Sequence, residues 1–164
     1  MTLHIGTTAP PFALVNQHRD RVSLEDLQGA PVVLVFIPFA FTRTCEGELC
    51  QIRDEHALFD QAGARVVAIT CNTLHANRVW SEQQGFEFDI LSDFWPHGAV
   101  CRQYETFNET LGYAERTTYF LDADGVITDV IRSDQLGEAR AFDGYRRALS
   151  GFARPQSPDT GRTT

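Results

Sequence analysis

A cysteine at the junction of a buried strand and a helix is where this chain is best placed to do chemistry. Cys45 follows the apolar run Val32 to Ile37 and opens a stretch in which Leu49, Ile52 and Phe59 recur at helical spacing. In a first helical turn the unpaired N–H groups and the dipole favour a thiolate over a thiol, and the thiolate is the nucleophile. Pro38, seven residues upstream, has no N–H to donate and can wall off one side of a pocket. Thr42, one turn before the cysteine, can place its hydroxyl where a reacting oxygen would lie. The competing reading makes Cys45 a small buried apolar residue, and these neighbours weigh against it.

The elements that must hold these residues are legible as alternating segments. Val32 to Ile37 is continuous, β-branched and apolar, as expected of a strand buried on both faces. A helix is expected from about Thr44 to Gln61, ended by Gly63, and Ala64 to Thr70 reads as a second buried strand. Leu74 to Gln84 reads as a helix stopped at Gly85, Glu87 to Leu91 as a short strand, and Val100 to Phe107 as helical. Thr117 to Leu121 and Val126 to Ile131 flank Asp122-Ala123-Asp124-Gly125, a hairpin signal. Ala139 to Ser150 closes the series as an amphipathic helix, which gives an α/β layered sandwich. Residues 1–152 are therefore expected to form a single domain. The polar segment 153–164, with two prolines and no aromatic residue, is expected to be a disordered tail.

Composition excludes several function classes. The chain has 164 residues, 43% of them hydrophobic, and a formal charge of −8, which argues against a nucleic-acid partner. All fourteen basic residues are arginine, so lysine chemistry is ruled out. The opening MTLHIGTTAPPF lacks the layout of a signal peptide, and runs such as VVLVFIPFAF are too short and Pro-interrupted to cross a bilayer. A cytoplasmic protein is expected. Four cysteines there point to redox or metal chemistry rather than a structural disulfide framework.

Pro38, Thr42 and Cys45 together match the P-x-x-x-T-x-x-C signature of peroxiredoxins, and Glu48 fits the glutamate often found after that cysteine. Gly6, Ala9-Pro10 and Phe12, and Val22-Ser23-Leu24, resemble the family's opening. Asp93-Phe94-Trp95-Pro96-His97-Gly98 and Glu115-Arg116-Thr117-Thr118-Tyr119-Phe120-Leu121-Asp122 resemble its alkyl hydroperoxide reductase E type. The resemblance covers roughly Leu3 to Phe152. It implies a thioredoxin-like three-layer α/β/α sandwich with a central mixed sheet, and a thiol-dependent peroxidase without metal or organic cofactor. Cys45 would be the peroxidatic cysteine, Thr42 would hydrogen-bond the peroxide, Pro38 would shield the thiolate, and Arg116 would supply a guanidinium. Glu48 would stand behind them, orienting Arg116 or Arg43. Partners implied are a hydroperoxide and a thiol reductant, whether thioredoxin, a mycoredoxin-like protein or a low-molecular-weight thiol. A homodimer, with the Trp95 segment and the Thr42 loop near its interface, is among the assemblies the family forms.

The sulfenic acid left on Cys45 must then be reset. Cys50 is the first candidate, because its C-x4-C spacing resembles the resolving pair of Q-type (bacterioferritin comigratory protein) peroxiredoxins. Cys71, Cys101 and an external thiol remain alternatives. Five residues on an ideal helix separate Cα atoms by about 8.6 Å, whereas disulfides need roughly 4.4–6.8 Å. Closure from Cys45 to Cys50 thus requires the first turn and a half to unwind. Trp80 and Trp95 read as core or interface residues, and His56, on the Leu49/Ile52 face, as half-buried. Two further functions use the same residues: a redox sensor or relay built on Cys45, and a metal-binding module using Cys45, Cys50 and a histidine. A disulfide oxidoreductase would need C-x-x-C, which the chain lacks.

Overall fold

The computed structural model describes residues 2–135 and 137–152. The expected tail lies outside the described residues. Strand β1 (Ala13–Val15) and β2 (Arg21–Ser23) form a short edge hairpin, followed by helix α1 (Leu24–Leu27), which Ser23 and Asp26 close with a capping box. Then come β3 (Val32–Phe36), α2 (Arg43–Asp54), α3 (His56–Gln61), β4 (Arg65–Thr70), α4 (Leu74–Gln84), β5 (Asp89–Ser92) and α5 (Ala99–Gln103). The chain continues through β6 (Phe107–Asn108), β7 (Tyr113–Ala114), β8 (Thr117–Leu121), β9 (Ile127–Arg132) and α6 (Phe142–Ser150). Seven strands make one mixed sheet in the order β2-β1-β5-β4-β3-β8-β9, parallel where β3, β4 and β5 meet and antiparallel elsewhere.

β3 lies inside the sheet, and its side chains are shared alternately by two cores, as the two-residue period of a strand requires. Val33, Val35 and Ile37 face a cluster with Cys45, Leu49, Ile52, Phe59, Trp80 and Tyr145, supplied by α2, α3, α4 and α6. Val32, Leu34 and Phe36 face the opposite cluster, which includes Leu24, Leu27, Val100, Cys101, Tyr104 and Tyr119. Helices on both faces of a mixed sheet make the three-layer thioredoxin-like sandwich expected above.

Four local expectations need correction. The helix from Thr44 to Gln61 is two helices, broken at Glu55 (φ −101°, ψ 22°); apolar periodicity ran through the break because Ile52 and Phe59 both stay in one core. His56, which starts the second helix, has thereby turned off the apolar face and its side chain is 74% exposed. The helix expected to reach Phe107 stops at Gln103, where Glu105 takes a left-handed φ of 54° and Thr106 N–H returns to the Cys101 carbonyl; Phe107 pairs in β6 instead. The last helix begins at Phe142 rather than Ala139, because Arg140 is drawn under α2. Trp80 is buried as expected, while Trp95 is 81% exposed.

Candidate functional site

Three elements converge at the carboxyl end of β3. The chain leaves that strand through buried Pro38, passes Phe41 in the left-handed region (φ 66°), and enters α2 with Thr42 as its N-cap. The half-exposed Phe41 ring lies against Trp80, with ring centroids 6.2 Å apart. Cys45 thus sits in the first turn of α2 and is only 1% exposed. β8 runs antiparallel to β3 with Thr117 opposite Phe36, which brings the preceding residue, Arg116, to the same end of the sheet.

Arg116 Nη2 donates to Cys45 Sγ at 3.3 Å. Its Nη1 donates to Glu48 Oε1, one turn further along α2. The other carboxylate oxygen, Glu48 Oε2, accepts from Arg140 Nε at 2.6 Å, and Arg140 Nη1 donates to the Phe36 carbonyl at 2.9 Å. All four residues are buried. Two guanidinium groups and one carboxylate leave a surplus of one positive charge in this water-poor cluster. That surplus lies against the Cys45 sulfur.

Thr42 donates its hydroxyl to the Phe39 carbonyl at 3.1 Å rather than capping α2, so its only hydrogen is committed while its lone pairs are not. Pro38 and Arg116 share a small cleft of about 70 Å³, also lined by Tyr113 and Arg132. A larger cleft, about 660 Å³, lies at the other end of the sheet, lined by Arg65 and Asp89 at the starts of β4 and β5. Sites in open α/β sheets form at the carboxyl ends of the strands, so the small cleft, not the large one, lies beside the chemistry.

Glu48 meets Arg116 as one of the two expected arginines; the other is Arg140, not Arg43, which is exposed. Arg140 was missed because it sits far along the chain, on an ordinary-looking amphipathic segment. Only the pairing of Glu48 with two cations reveals it.

Cys50 is half-buried on another side of α2, where its thiol faces Gln84 Oε1 at 3.6 Å and burial pushes it up. Gln84 Nε2 and Trp80 Nε1 both donate to Glu46 Oε1, at 2.7 and 3.2 Å, so α4 grips the first turns of α2. Between the two cysteines stands Gly47, exposed and with open space around its Cα. A glycine inside a helix weakens it by roughly 0.5–1 kcal/mol relative to alanine. Cys71 and Cys101 lie in the other core, across the sheet from Cys45. The five histidines do not come together with Cys45 or Cys50 in any group with metal-ligand spacing among the described residues.

Residues 5–130 match the AhpC/TSA family. The chain is 43% identical over 139 residues to alkyl hydroperoxide reductase E of Mycobacterium tuberculosis, covering 84% of this chain and 90% of that protein. It is 31% identical over 134 residues to peroxiredoxin Bcp of Escherichia coli, covering 78% and 85%. The crystal structure of peroxidoxin BcpB from Mycobacterium tuberculosis superimposes with a TM-score of 0.80 at 29% identity, covering 92% of this chain and 96% of that one.

The Glu48 carboxylate needs both of its cations. Arg140→Met is expected to destabilise the fold by about 3–5 kcal/mol, the usual cost of breaking a buried pair from one side. Urea unfolding measures it; a loss below 1 kcal/mol would mean Arg140 is incidental to the cluster.

Proposed function

The chain belongs to the AhpC/TSA family and is a thiol-dependent peroxidase, and from that premise we propose that Cys45 is the thiol that meets the hydroperoxide. The observation that carries this is the Arg116 Nη2 to Cys45 Sγ hydrogen bond at 3.3 Å, made at the start of a helix. The Cys45 sulfur attacks one oxygen of the O–O bond. That bond breaks, an S–O bond forms, and the departing oxygen takes a proton to leave as water or an alcohol. Arg116 is fixed beside the sulfur, where its guanidinium meets charge developing on the peroxide oxygens. Thr42, with its hydrogen given to Phe39, accepts the O–H of the incoming hydroperoxide. Pro38 keeps water from the sulfur.

Cys50 is the resolving thiol in this reading. Its sulfur attacks the Cys45 sulfenic acid, a disulfide forms and water leaves, and an external dithiol or two thiols then reduce the disulfide. Thioredoxin, a mycoredoxin-like protein and low-molecular-weight thiols all meet that chemistry. Gly47 supports the pairing, since it weakens α2 between the two sulfurs. Cys71 and Cys101 are disfavoured by lying in the opposite core. A metal module built on Cys45 and Cys50 is not favoured, because the two sulfurs engage different partners, Arg116 and Gln84. We place the protein in the cytoplasm, where thiols are kept reduced. Among the described residues no helix is long and apolar enough to cross a membrane. Phe94 and Trp95, 48% and 81% exposed, supply the apolar surface on which two copies would pair.

Arg116→Met is expected to slow oxidation of Cys45 by hydroperoxide roughly 10²–10³-fold, followed by stopped-flow fluorescence; an unchanged rate would remove Arg116 from the site. After one equivalent of peroxide, intact mass of the wild type should fall by about two protons, and that of Cys50→Ser should rise by one oxygen. Gly47→Ala should slow disulfide formation about two- to fivefold, the kinetic equivalent of the helix stabilisation, without slowing the first oxidation. An intramolecular disulfide that persists in Cys50→Ser assigns resolution elsewhere. Sedimentation velocity should give a dimer that Trp95→Arg converts to a monomer, and a wild-type monomer at all concentrations would refute the pairing surface.

A further inference from the structure

Across the sheet from Cys45 the remaining two cysteines form a site of their own. Cys71 stands just past β4, Asp93 just past β5 and Cys101 within α5. Cys71 Sγ and Cys101 Sγ are 3.7 Å apart, and one oxygen of Asp93 lies within 4.8 Å of both. All three residues are buried, at 6%, 1% and 0% exposure. Asp93 Oδ1 accepts from the Val100 N–H at 3.2 Å and Oδ2 from the Cys101 N–H at 2.8 Å. Those bonds fix its orientation and use two of its roughly four lone-pair sites. Among the described residues no arginine pairs with it.

The plain reading is a helix-capping aspartate beside two core thiols. Three features go beyond it. A tetrahedral ion bound at about 2.3 Å by two thiolates separates the sulfurs by about 3.75 Å, the edge of its coordination polyhedron, and the observed separation, which also suits an S–H···S hydrogen bond, is 3.7 Å. The donors come from three separate elements, so coordination would tie the ends of β4 and β5 to α5. Finally, Cys71 opens on a cleft of about 290 Å³ lined also by Pro38, Asn72, Phe94 and His97, which offers an entry path and room for a water as fourth ligand. His97 is not that ligand: its ring nitrogens lie 3.1 and 2.7 Å from the Phe94 and Gly112 carbonyls.

We propose that Cys71, Cys101 and Asp93 form a binding site for a thiophilic divalent cation of the zinc type. Two thiolates with one carboxylate suit zinc or cobalt over magnesium or calcium, which prefer oxygen cages. Binding forms two metal–sulfur bonds and one metal–oxygen bond, releases the two thiol protons to solvent, and changes no oxidation state. The bound cation would also compensate the buried carboxylate.

Cobalt(II) is the probe, added to full-length reduced protein carrying Cys45→Ser and Cys50→Ser so that only this pair of thiols remains. One equivalent should bind, with thiolate-to-cobalt charge-transfer absorption and the d–d bands of a tetrahedral ion, and zinc should displace it. Cys101→Ser and, separately, Cys71→Ser should each weaken binding at least tenfold while circular dichroism confirms the fold, and Asp93→Asn should weaken it with the same protein still folded. The proposal is overturned if the protein with both of these cysteines takes up no cobalt, if binding survives loss of either cysteine, or if the spectrum is that of octahedral, all-oxygen cobalt. A Cys71–Cys101 disulfide that forms in air, in a protein that binds no cobalt once reduced, would also overturn it and make the pair a redox couple instead.

Discussion

The Glu48 carboxylate, closed between Arg116 and Arg140, is the interaction on which the site depends. It joins α2 to the start of β8 through Arg116 and, through Arg140, to the last carbonyl of β3. Burying three charges carries a desolvation penalty of several kcal/mol per ion, which is recovered only when geometry and hydrogen bonding are both good. Here both carboxylate oxygens are engaged, and the guanidinium groups are held on more than one side. The surplus positive charge lies against the Cys45 sulfur, which Arg116 touches. A single carboxylate therefore does two jobs. It fixes the arginine that touches sulfur, and it keeps the cluster from holding two uncompensated cations.

The sheet separates the chain's thiol chemistry into two compartments. Because side chains alternate along β3, Cys45 belongs to the core under α2 and α6, while Cys71 and Cys101 belong to the core under α1 and α5. No side-chain rotation carries a sulfur through a sheet whose β3 residues are all buried. In the proposed cycle, resolution from within the chain therefore falls to Cys50, on the same helix as Cys45, and the difficulty becomes one of helix geometry rather than distance in the fold. The same separation leaves the pair across the sheet free for an unrelated use.

Much of this was legible in the sequence, for physical reasons that differ from residue to residue. Val32 to Ile37 could be read as a central strand because only a strand buried on both faces tolerates so continuous an apolar run. Gly85 and the Asp122–Gly125 turn marked their boundaries because left-handed backbone selects residue type. The Pro38, Thr42 and Cys45 spacing put all three beside one helix start because that spacing is local. Long-range pairing was harder to see. Arg140 lies 92 residues from Glu48, and nothing in its own neighbourhood distinguishes it from the arginines on the surface. The break at Glu55 and the exposure of His56 escaped notice for the opposite reason, since the apolar pattern stays in phase across a break that leaves both helices on one core. Strands β1 and β2, three residues each and partly exposed, carry too little alternation to register.

In the cycle proposed above, the cluster also accounts for when α2 can come undone. With a thiolate at Cys45, Arg116 holds the first turn through sulfur as well as through Glu48, and the charges balance. Oxidation turns that thiolate into a neutral sulfenic acid. The counter-charge is lost, and a hydrogen bond between two charged groups becomes a weaker one in which only the Arg116 donor is charged. The helix is then held at its start mainly by Glu46, through Trp80 and Gln84, and Gly47 lies immediately after that contact. Glu48, still clamped by Arg140, does not have to move. Unwinding can therefore stop at Gly47, which frees Cys45 to swing toward Cys50 without exposing a buried carboxylate. A cysteine seated one turn earlier would leave the clamp untouched by oxidation, and one seated beyond Glu48 could move only by breaking it. The position of Cys45, three residues before the glutamate and two before the glycine, lets the chemical step itself loosen the segment that the next step must move.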